Sequence, residues 1–133
     1  VSTKSKAKGT AAEREVVRYL QTWWPNAERR ALSGNKDKGD VAGIHDLVVE
    51  VKAAATLQIP AWKRETLKEM ENADAGNCML VVKRPRKAVG EWDAYMPIGA
   101  LGYDQRQHLP QEAPEWVRMD LLVAVLTLRG EGY

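Results

Sequence analysis

The stretch GDVAGIHDLVVEVK, residues 39–52, sets three ionisable groups, Asp40, Glu50 and Lys52, among residues that otherwise read as buried strand. DVAGI and LVVEVK flank His45-Asp46, and β-branched residues around a central turn predict a β-hairpin. Side chains alternate along a strand, so Leu47, Val49 and Val51 share the core face while Val48, Glu50 and Lys52 share the other. With the turn centred on His45, Asp40 falls opposite Glu50, where cross-strand Cβ atoms lie about 4.5–5.5 Å apart. Two carboxylates at that distance raise one another's pKa unless a cation sits between them.

Two readings of this cluster stand side by side. In one, Glu50 and Lys52 form a solvated ion pair on an exposed sheet face. In the other, Asp40 and Glu50 hold Mg²⁺, a hard cation that takes one or two carboxylates together with water and phosphate oxygens, with Mn²⁺ as a substitute. Lys52 then has a use beside a phosphate under attack, as a charge stabiliser or in activating water. The single cysteine, Cys78, and two distant histidines, His45 and His108, provide no competing metal-ligand spacing.

At 133 residues and 44% apolar composition the chain suits one domain with a real core. No apolar run approaches a membrane span and the opening residues do not read as a secretory signal, so the expectation is a soluble, cytoplasmic protein. Residues 1–87 carry 17 Lys/Arg against 11 Asp/Glu, whereas residues 88–133 carry 3 against 7. The basic excess surrounds the carboxylates, and it suggests a polyanionic partner, nucleic acid foremost, although ordinary surface charge reads the same way.

VSTKSKAKG (1–9) reads as a flexible basic arm, and from Thr10 the apolar residues Ala12, Val16, Tyr19, Leu20, Trp23 and Trp24 recur at helical spacing, with Thr10 as N-cap and Pro25 as terminator. AERRAL (27–32) reads as a short strand and SGNKDKG (33–39) as a basic loop. Residues 59–73 predict an amphipathic helix with Ile59, Trp62, Leu67 and Met70 on its apolar side. CMLVVKR (78–84) predicts a buried strand with a basic exit, EWDAYM (91–96) a weaker one, 99–115 a loop, and WVRM (116–119) a strand. A helix from Asp120 through Arg129 is apolar nearly all round, hence either fully buried or shared with a partner chain. Trp23, Trp24 and Trp62 are expected in the core.

The Asp, nine intervening residues, and E-V-K of GDVAGIHDLVVEVK resemble the signature of the PD-(D/E)xK nuclease superfamily, with Gly39 where the motif has proline. KGTAAEREVVRYL (8–20) is similar to the first helix of the archaeal-type Holliday junction resolvases, a branch in which a glutamate of that helix joins the metal site; Glu13 matches it. RRALSGNKDKGDVAG (29–43) is similar to their arginine strand and serine-bearing loop, here about two residues longer, which maps Arg30 and Ser33 onto family positions and leaves Arg29 as a rival for Arg30. The resemblance runs from about Lys8 to Arg84. Thr10 and Glu13 also fit a capping box, in which Glu13 would bond back to the helix start.

The resemblance implies an α/β (α+β) restriction-endonuclease-like fold, a mixed central sheet flanked by helices, in a single domain with a catalytic core over 10–84 and a C-terminal extension over 85–133. It implies a Mg²⁺-dependent endonuclease with Glu13, Asp40, Glu50 and the Val51 carbonyl as metal ligands and Lys52 beside them. DNA contacts are expected from Arg29, Arg30, Ser33, Lys36, Lys38, Lys83 and Arg84. A four-way junction needs two opposed cuts, so a homodimer is expected. Rival readings are a nuclease of the same superfamily acting on linear, flap or mismatched DNA, and a non-catalytic DNA-binding domain.

Overall fold

The computed structural model describes residues 3–30, 36–98 and 115–133. A mixed six-stranded sheet runs in the order β1 (Glu28–Arg29), β2 (Val41–Ala42), β3 (Leu47–Lys52), β4 (Asn77–Val82), β5 (Asp93–Pro97) and β6 (Trp116–Asp120). Three helices flank it: α1 (Thr3–Leu20), α2 (Ile59–Asn72) and α3 (Leu121–Gly130). Only β3 and β4 are parallel, from Leu47 opposite Asn77 to Lys52 opposite Val82, because a parallel pair needs a crossover and α2 supplies it. All other neighbours are antiparallel.

The two sheet faces bury different partners. Leu47, Val49 and Val51 pack with Met79, Val81, Ala94 and Met96 beneath α1 and α3. On the opposite face Leu80 and Val82 meet Trp62 of α2, with Ile59 and Tyr95 at the margin. Central strands covered on both sides read as continuous apolar runs, as NCMLVV (77–82) does. Trp24 and Trp62 are buried and Trp23 packs against the core, as expected, and Cys78 is fully buried in β4.

Helix α1 differs from expectation at its start. Residues 3–9, read as a flexible arm, form its opening turns. Lys and Ala are strong helix formers and no proline interrupts them, so the polar composition that suggested an arm describes a solvated helix end. Thr10 is therefore an interior residue, neither N-cap nor part of a capping box. Helix α3 buries Leu121, Ala124, Val125 and Leu128, one stripe at helical spacing, and leaves Leu122, Val123 and Leu126 between 42% and 55% exposed. It closes the core with one side and is not fully buried. The expected loop over 99–115 lies almost wholly outside the described residues, as do Ser33 and His108. Among the described residues no helix is long and apolar enough to cross a membrane.

Candidate functional site

The hairpin register is the expected one. Val41 pairs with Val49, which sets Asp40 across from Glu50 on the face that looks toward α2. Backbone bonds hold Asp40 in place: its N–H donates to Val49 O at 2.8 Å and its carbonyl accepts from Arg30 N–H at 2.8 Å. Its carboxylate Oδ2 accepts from Val51 N–H at 2.7 Å. Gly39 precedes it with φ +93°, and a Cβ there would lie 2.9 Å from Val48 Cγ1 and 3.0 Å from Val49 O. Proline cannot adopt that φ, which explains why the strand enters the site through glycine.

Glu50 is only 4% exposed. Lys52 Nζ lies 3.4 Å from Glu50 Oε1 and 3.0 Å from Glu65 Oε1. Burial pulls the Lys52 pKa down, yet its bond to Glu65 and the charges of Glu50 and Glu65 outweigh this and leave it raised. Lys52 is thus an ammonium at neutral pH. The solvated ion pair expected as one reading is replaced by a largely buried one, because α2 covers this face.

Thr10 lies inside α1, so Glu13 does not close the capping box that its spacing allowed. Its Oε2 accepts from Arg29 Nε at 3.0 Å and Nη2 at 2.8 Å. Its charge still reaches Asp40 and helps raise that carboxyl's pKa. Arg29, the rival of Arg30, is therefore the arginine that side-chain contacts tie to the site, whereas Arg30 is half-buried and its Nε has no hydrogen-bond partner among the described residues. Lys36 and Lys38 are exposed on the loop before β2.

Three acids that the sequence pattern did not single out complete the site. One carboxylate oxygen from each of Asp37, Glu50, Glu65 and Glu69 lies within 4.8 Å of the others. Glu69 is 1% exposed. The expected apolar side of α2 counted Leu67 and Met70, but the buried residues are Trp62, Thr66 and Glu69, at i, i+4 and i+7. That spacing, measured from Trp62, was the available signal.

As carboxylates these groups can only accept, and Glu50 Oε2 and both Glu69 oxygens are buried without a donor. Burial, with the charge of Glu50, lifts Asp40 far above the usual carboxylate range. Burial, then contact with Glu69, does the same for Glu50. Glu69 is raised to about 7, chiefly by burial, with Asp37, Asp40 and Glu65 adding to it and its contact with Glu50 opposing. Converging, dry carboxylates of this kind require protons or a cation, and hard oxygen donors suit Mg²⁺, Mn²⁺ or Ca²⁺.

A basic cleft of about 820 Å³ opens where β3 and β4 end side by side. Lys83 N–H donates to Lys52 O at 2.9 Å, so the cleft begins at the same strand ends that carry the site. Lys8, Lys83, Arg84, Arg86 and Lys87 line it, with Asp93 as the one acid among its lining residues. Lys8 comes from the opening turns of α1. No protein-family model, curated protein or solved structure matches the chain.

Proposed function

We propose that this chain is a Mg²⁺-dependent endodeoxyribonuclease of the PD-(D/E)xK kind, with a restriction-endonuclease-like fold, that cuts four-way DNA junctions. The observation that carries the reading is Asp40 opposite Glu50 with Lys52 on the same face, where Glu50 is buried with Oε2 lacking a donor, and a cleft with five cationic side chains opening beyond the ends of β3 and β4. Asp40, Glu50 and the Val51 carbonyl are the residues to hold the ion. Glu13 is the further carboxylate once its Arg29 partner turns to DNA. Mg²⁺ held there supplies Lewis-acid activation of the scissile phosphodiester and of the attacking water.

The chain's own residues do the rest. Lys83, Arg84, Arg86, Lys87 and Lys8 track the phosphate backbone, a contact set that gives affinity without sequence choice. Lys52, being an ammonium, steadies negative charge on the phosphate rather than removing a proton from water. Water oxygen bonds to phosphorus and gives up one proton to solvent, the bond to the 3′ oxygen breaks, and that oxygen takes a proton from solvent, leaving a 5′-phosphate and a 3′-hydroxyl. Two opposed cuts in a junction call for a C₂ dimer, and the exposed Leu122, Val123 and Leu126 of α3 offer it an apolar face.

The test is cleavage of a synthetic four-way junction, compared with its linear arms, in Mg²⁺. Preferential junction cutting that disappears in Glu50→Ala and Lys52→Ala, with junction binding retained, is the expected result. Equal cutting of linear duplex would replace the junction substrate with a broader one, and binding without cutting by the unaltered protein in Mg²⁺ or Mn²⁺ would overturn the enzyme reading.

A further inference from the structure

We propose that a divalent cation binds on the α2 side of Glu50, between Glu50 and Glu69, with Glu65 and Asp37 completing its ligands. This position is separate from the one between Asp40 and Glu50, and it does not depend on the nuclease reading. Four carboxylate oxygens converge there from three parts of the chain: β3, α2 and the loop before β2. A cluster of acids alone would carry little weight, because exposed ones repel harmlessly in water. Here the central two are buried, and Glu69, 1% exposed, turns a carboxylate oxygen into the cluster while neither of its oxygens has a donor among the described residues.

The surroundings are arranged for a hard ion. Glu65 and Glu69 are one helical turn apart on α2, so they present their oxygens from adjacent positions. Asp37 is steered by its own loop: its Oδ1 accepts from Gly39 N–H at 2.9 Å, and its carbonyl accepts from Asn72 Nδ2 at 2.9 Å. Gly39 lies against the cluster as well, its Cβ position 3.6 Å from Glu69 Oε2, an ordinary contact distance. The Lys52 ammonium is bonded to Glu65 and near Glu50, and none of the described donors reaches Glu69. A divalent ion at this point offsets two of the three negative charges that one ammonium leaves over and ties the loop and α2 to β3. It also competes with Lys52 for Glu65, freeing the lysine to turn toward the neighbouring cleft.

The alternative occupant is a proton shared between Glu50 and Glu69, and metal binding separates the two. Mn²⁺ titration of the full chain by calorimetry, without DNA, is expected to show two sites. Glu69→Gln, which keeps the side-chain volume, should lose one site or weaken it by about tenfold or more, while Asp40→Asn retains it. Glu65→Gln, at a more exposed position, should weaken the same site with little effect on folding, and circular dichroism checks the fold of each variant. Unchanged Mn²⁺ stoichiometry and affinity in both Glu69→Gln and Glu65→Gln would overturn the proposal. A Mn²⁺ site lost in Glu69→Gln and kept in Asp40→Asn, in a protein that cuts no DNA, would uphold it while refuting the nuclease reading.

Discussion

Replacing Glu69 by glutamine should stabilise the cation-free protein at neutral pH, although it removes a charged group from the centre of the site. The Glu69 carboxyl titrates near 7 in the folded chain against 4.5 when free, a rise of about 2.5 caused first by burial. Below pH 4.5 the carboxyl is protonated in both the folded and unfolded states and has no effect. Between 4.5 and 7 the unfolded chain releases its proton while the folded chain keeps it, so stability falls as pH rises, and above 7 the loss is complete. At about 1.36 kcal/mol per pH unit this is on the order of 3 kcal/mol. Glutamine cannot ionise, so the variant escapes the loss, and Glu50 is relieved as well because Glu69 raises it. Thermal or urea unfolding in chelator should show parent and Glu69→Gln nearly equal at pH 4.5 and separated by about 10 °C in Tm at pH 8, the variant higher. Added Mn²⁺ should raise the parent's Tm more than the variant's. Parallel pH profiles with a constant offset, or a variant less stable than the parent at pH 8, would refute the reasoning.

Three further outcomes follow from the same geometry. Gly39→Ala should cost about 1–3 kcal/mol in urea unfolding, because a Cβ meets Val48 and Val49 and the backbone sits at φ +93°; Gly39→Pro should cost more, although proline stands at this place in the motif that the stretch resembles. Asp46→Asn should leave DNA cleavage near the parent rate, since Asp46 is a turn residue at φ +61° whose Oδ1 accepts from Gly76 N–H and asparagine can do both; Asp40→Asn should abolish it. Lys83→Ala and Arg84→Ala should each weaken junction binding and flatten the dependence of log affinity on log salt, the slope falling by about 0.9 for each phosphate left without its cation, read from binding titrations at several salt concentrations.

The hairpin was legible because alternation and turn placement are local: they set Asp40 opposite Glu50 and Lys52 beside it, and the register follows. The buried run 77–82 and the crossover helix were legible for the same reason. What escaped was decided by packing between distant elements. Glu69 sits on a helix whose most apolar residues point only partly inward, so hydrophobic counting chose Leu67 and Met70 where the sheet covers Thr66 and Glu69. The Glu13–Arg29 pair joins residues 16 apart through the placement of α1 against β1, and the local capping-box pattern pointed elsewhere. Charge composition misread residues 3–9, because the lysines that suggested disorder are good helix formers. Gly39 was visible as a departure from a motif, but its reason, a tight approach to β3, emerges only from the folded backbone.

The central claim is that the carboxylates and lysine of the hairpin form a hydrolytic site, and the most direct measurement is strand cleavage of a labelled four-way junction with and without Mg²⁺. Cleavage that requires Mg²⁺, leaves 5′-phosphates and vanishes in Asp40→Asn and Glu50→Ala while both variants still bind the junction is the expected result. No Mg²⁺- or Mn²⁺-dependent cleavage by the unaltered protein, or undiminished cleavage by Asp40→Asn, would contradict it.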